Sequence, residues 1–192
     1  MRMLVAGLLG GIVMFAWGVV AHMALGLGNV GIHQPAAENA VLGSLHEGLG
    51  DQPGVYILPS LDPQKMGDPA VLKAYSAKAV GSPYAWVVYQ PHGTDMMQMG
   101  PQIGWQWASD TLAALVLACM LGLAGLGFRR RVALAAAVAV FAWLSTMLPY
   151  WNWYRFPLDF TLAALVEQLV GWLLAGAAMA WWLGRGERKP AR

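Results

Sequence analysis

His22 and Glu167 stand inside long apolar runs, where an ionisable group is costly and marks either an interhelical bond or a working site. An imidazole and a carboxylate at one depth can exchange a proton or hold a cation between them. Asp110 lies at the mouth of another apolar run and Gln168 adjoins Glu167, so three runs bring polar groups to a similar level. Two readings stand side by side. One is a polar intramembrane site of His22, Asp110, Glu167 and Gln168 that opens outward, for a proton, a metal ion or a lipid headgroup. The other is a hydrogen-bond cluster that fixes helix packing, and it requires only that buried polar atoms find partners.

The stretch from His92 to Met99 sets an imidazole beside the thioethers of Met96, Met97 and Met99, soft donors that suit Cu(I). Asp95 among them is a poor Cu(I) ligand, and the methionines are better explained as apolar surface beside a bilayer. No metal and no other cofactor is therefore expected. Residues 149–159 form the third candidate. Trp151, Trp153, Tyr154 and Arg155 are candidates for lipid or partner contact: the rings suit the headgroup level, where a ring is half wet, and Arg155 among them fits a lipid phosphate or an acidic face of the chain's own extracytoplasmic segment. No G-x-x-x-x-G-K-[ST], H-E-x-x-H or G-x-S-x-G occurs, so no catalytic residue is assigned and the chain reads as a binding protein before an enzyme. The lone cysteine, Cys119, excludes an internal disulfide and a C-x-x-C site.

The elements that must position these residues follow from composition. Charged residues make up 11% of the chain and hydrophobic ones 58%, against about 25% charged in soluble domains. So few charges cannot cover a water-facing surface, so the lipid bilayer is the main partner. A net charge of +2, with the basic residues at run ends rather than in a stripe, argues against nucleic acid. A bilayer core of about 30 Å needs roughly 20 apolar residues of helix. Four runs meet that need: 1–27, 108–128, the shorter 132–148 stopped by Pro149, and 160–184. The first is too long for a cleaved signal sequence and has no A-x-A site after it, so it is expected to be retained. Gly7 and Gly11 within it form a G-x-x-x-G pair, and Gly171 with Ala175 a similar one, both hints of close helix packing.

Lys and Arg near the spans set the orientation. Arg2, Arg129, Arg130, Arg131 and the basic tail 185–192 fall on one side only if there are four spans. That side is expected to be cytoplasmic and to hold both termini. Residues 28–107 then lie outside as a small α/β cap. Pro35 and Gly50 bracket a first helix, and Asp68, Pro69 and Gly81 carry the capping chemistry of a second. The runs 54–58 and 84–90, each fenced by proline, read as strands, and the strand–helix–strand order suits a parallel pair with a right-handed crossover. This layer is expected to pack on its own helices and on the outer ends of the bundle.

Three stretches carry a resemblance: Phe15-Ala-Trp-Gly18 with Ala21-His22-Met23, Gly54-Val-Tyr-Ile-Leu-Pro59, and Tyr150-Trp-Asn-Trp-Tyr154 leading through Phe156 and Pro157 to Val166–Trp172. In these the chain resembles a group of small bacterial four-helix inner-membrane proteins with an extracytoplasmic insertion after the first helix. The group has no assigned biochemical role, so the resemblance implies the topology and brings no catalytic residues. The expected fold is mainly α: a four-helix transmembrane bundle with an extracytoplasmic α/β cap. The expected function is to bind a partner membrane protein or lipid on the outer face, with a transport or metal-handling site on His22 and Glu167 as the alternative.

Overall fold

Four helices of the computed structural model, which describes residues 1–123 and 125–185, are long and apolar enough to cross a bilayer. They are α1 (Arg2–Val19, carried on to Ala24 by a π-helical turn), α4 (Gly100–Leu123), α5 (Phe128–Tyr154) and α6 (Leu158–Arg185). Mean hydropathy over their most apolar stretches is 2.2, 1.4, 2.0 and 1.6. This is the make-up of a multi-pass membrane protein.

Together with the loops beside them, Met1–His33 and Met96–Arg192 form one compact unit. In it α1 packs between α4 and α6, and α6 packs between α1 and α5. The buried face of each helix repeats at three- and four-residue spacing: Ala6, Gly7, Gly10 and Gly11 on α1, and Arg131, Ala135, Ala139 and Trp143 on α5. Most of these residues are small, which suits helices in lipid, where close backbone approach replaces a hydrophobic driving force. A Cβ on Gly7 would come within 2.8 Å of Leu115 Cα, and one on Gly11 within 2.7 Å of Thr111 Cα. The G-x-x-x-G pair thus seats α1 directly on the α4 backbone. Larger side chains fill what remains, with Leu117, Leu121 and Met179 buried between helices.

Two helices run past the ends expected for them. α4 begins at Gly100 rather than at 108, so Trp105 and Trp107 belong to its first turns and Asp110 lies about 15 Å along the helix. α5 continues through Pro149 to Tyr154. Proline removes one backbone donor, and the helix stops only where Arg155 enters the left-handed region (φ 57°). There the N–H groups of Arg155 and Phe156 both donate to Tyr150 O. The expected aromatic loop 149–159 shrinks to a corner at 155–157. Of the tail 185–192, only Arg185 falls among the described residues, and it lies on α6.

Gln34–Asp95 form the second unit. It holds α2 (Glu38–Leu49), β1 (Gly54–Leu58), α3 (Pro69–Val80) and β2 (Ala85–Tyr89). Asp68 caps α3 as its sequence requires, its Oδ1 accepting from Ala70 N at 2.8 Å and from Val71 N at 3.4 Å. The strands pair antiparallel, Gly54 opposite Tyr89 and Leu58 opposite Ala85, and the expected parallel crossover is not formed. The reason lies in α3. Its Tyr75 donates to Pro59 O at 3.4 Å, so the helix is tied at the C-terminal end of β1 and the chain does not travel back to the strand's start. One sheet face carries Tyr89, which is buried: its hydroxyl donates to Gly50 O at 2.9 Å and meets His46 Nδ1 at 3.3 Å, binding β2 to the end of α2. On α2, Leu45 and Leu49 are half-buried while Val41 and Leu42 stay exposed.

Candidate functional site

His22 and Glu167 meet. Their Nε2 and Oε1 are 2.9 Å apart, across the antiparallel interface of α1 and α6. Three local features bring this about. Residues Val20–Ala24 form a π-helical turn, in which Leu25 N donates to Val20 O, and His22 sits at its centre. Such turns are rare, cost backbone geometry and recur at functional sites. Gly28, in the short 3-10 turn that follows, lies directly against the imidazole, and a side chain there would occupy the ring's position. On α6, Gly171 has no side chain to block Trp17, whose indole N–H donates to Glu167 O at 2.9 Å. Glu167 is thereby held at its backbone by one α1 residue and at its carboxylate by another.

The pair is not sealed. The His22 side chain keeps 53% of its surface accessible and that of Glu167 27%. Asp110 lies within electrostatic range of Glu167, and Gln106 Nε2 donates to its Oδ1 at 3.0 Å. Gln168 is half-buried beside Glu167 on α6. Of the four residues expected to form a polar site, His22 and Glu167 are in direct contact and Asp110 faces them at longer range. Trp17 and Gln106 complete the arrangement and were not anticipated. Their signals are an indole donor in an apolar run, which needs an acceptor, and the i,i+4 spacing of Gln106 and Asp110. Chemically, the pair can share, take up or release a proton. Among the described residues no group of three His, Cys, Asp or Glu side chains gathers as a metal site.

The aromatic residues lie at the same end of this unit. Trp151 and Trp153 are on the last turn of α5 and exposed (42% and 74%), and Tyr150 stacks edge-on with Phe156 at 5.2 Å. Tyr154 is half-buried, and Arg155 is the exposed left-handed residue that ends the helix. Met96, Met97 and Met99 are all exposed.

In the Gln34–Asp95 unit, a different feature stands out. Residues opposite each other on antiparallel strands share a face. One face of the sheet is therefore Val55, Ile57, Trp86 and Val88, all apolar. Val55 is 57% exposed, Ile57 37% and Val88 70%.

No protein-family model, curated protein or solved structure matches this chain.

Proposed function

We propose that the chain is a non-enzymatic protein of a bacterial inner membrane, with both termini cytoplasmic, whose outer unit Gln34–Asp95 binds a partner membrane protein. The observation that carries this reading is the open sheet face of Val55, Ile57 and Val88. A span can expose apolar residues to lipid at no cost, but a unit without a span cannot, and exposed apolar patches outside lipid mark interaction surfaces. Photo-crosslinking residues at positions 55 and 88 in the full chain test it. Crosslinks to one protein, lost together with co-purification in mild detergent when Val55→Lys and Val88→Lys are combined, are expected. Crosslinks to lipid alone, or co-purification that survives the lysines, overturn it.

The π-helical turn favours a second reading, transport through a proton-carrying His22–Glu167 pair. Metal handling loses ground, because the pair supplies only two donors. Under this reading Glu167→Gln abolishes proton-coupled uptake or release in proteoliposomes while thermal stability is retained. A phenotype that tracks stability alone returns the pair to a packing role.

A further inference from the structure

At the end of the bundle away from His22, between the start of α5 and the last turn of α6, a pocket of about 420 Å³ is lined by Phe128, Ala180, Trp181, Gly184 and Arg185. Its size is that of a small-molecule site, and its walls combine two chemistries. Phe128 and Trp181 present exposed aromatic surface, suited to the upper part of an acyl chain. Arg185 supplies charge: its guanidinium lies over the Trp181 ring, 4.1 Å from the centroid. A guanidinium over an aromatic ring can still offer N–H donors to a phosphate in bidentate fashion.

The surroundings reinforce the sign. Arg129 and Arg130 are exposed on the first turn of α5, which carries no acidic residue. Below Gly184, Nη1 of the buried Arg131 would lie 3.9 Å from a Cβ placed there. The described acidic residues of the bundle unit, Asp110, Asp159 and Glu167, lie toward the opposite ends of their helices. A soluble anion would use the arginines and ignore the aromatic walls. A ligand with a phosphate and an alkyl chain uses both, and basic pockets between spans are where such headgroups bind.

We propose that this pocket is a binding site for an anionic phospholipid, its phosphate on Arg185 and its chain along Phe128 and Trp181. The test uses the full chain in mild detergent, titrated with phosphatidylglycerol or phosphatidylcholine and weighed intact by native mass spectrometry. Wild-type protein is expected to retain phosphatidylglycerol at least fivefold better than phosphatidylcholine. Arg185→Gln should remove that preference. Gly184→Leu, at a lining position where a Cβ meets nothing closer than 3.9 Å, adds bulk to the pocket wall without changing charge and should remove it as well. Circular dichroism of each variant shows whether it is folded, and because the two variants act by different means, one folded variant suffices. Equal retention of both lipids by wild type, preference surviving in a folded variant, or displacement of phosphatidylglycerol by inorganic phosphate at equal concentration would each overturn the proposal.

Discussion

The two ends of the bundle solve the same problem differently. Near one end, an imidazole and a carboxylate from different helices neutralise each other's cost and stay half open to their surroundings. At the other, Arg131 is 1% exposed and donates from Nε to Leu121 O at 3.2 Å, a carbonyl in the last turn of α4. Helix ends leave such carbonyls unsatisfied, and a buried guanidinium there caps α4 and suits its dipole. The contrast is between a pair that can change its protonation and a group that cannot. Chemistry that responds to conditions is expected at the His22 end, and rigidity at the arginine end.

The contrast breaks outright if both ends lie on one side of the membrane. Reporter fusions after Gly31, Phe128, Tyr154 and Lys189 are expected to read outside, inside, outside and inside, because the arginines cluster with Phe128. This outcome is all-or-none, and an inside reading at Gly31 or Tyr154 removes the topology.

The next largest effect concerns the arginine triplet. Arg131→Ala strips a fully buried side chain and leaves the Leu121 carbonyl without its donor, a loss on the order of 3 kcal/mol in stability. Arg129→Ala and Arg130→Ala, at exposed positions, should each stay within about 0.5 kcal/mol. Unfolding in detergent by SDS titration compares the three. Equal losses would mean that Arg131 acts only as one more surface charge.

What the sequence revealed about these ends divides along the same line. His22 and Glu167 are conspicuous because each interrupts an apolar run. The rise of a helix, 1.5 Å per residue, places them at one depth if the first and fourth spans are antiparallel. Arg131 is hidden by its neighbours. In a run of three arginines each looks like a cytoplasmic flank, and only its phase with Ala135, Ala139 and Trp143 distinguishes it. The ends of α5 were hidden for a related reason. Hydropathy stops at a proline and at polar residues, whereas a helix stops where its backbone leaves the αR region, here at Arg155. Strand direction in the outer unit was beyond the local pattern, since a helix between two strands fits either direction until its docking position is known, and Tyr75 on Pro59 decides it. The capping of α3 was legible because Asp68 and Pro69 act on their own first turn.

The smallest expected effect is the one that decides what the His22–Glu167 pair is for. His22→Ala and Glu167→Ala each break a 2.9 Å bond, so each should lower stability in detergent. The second substitution removes a partner already lost, and the double mutant should therefore fall short of the sum. Couplings between polar side chains in membranes average about 0.6 kcal/mol, so the cycle must resolve a few tenths. Additive losses would mean that the contact contributes nothing, and the polar site would lose its support. Non-additive losses with a normal cell phenotype would assign the pair to packing. Retained stability in a single variant that loses the phenotype would assign it to function. The geometry makes this last distinction accessible, because Trp17 holds the Glu167 backbone independently of its carboxylate. Glu167→Gln can thus remove the charge while the α1–α6 interface keeps its indole bond.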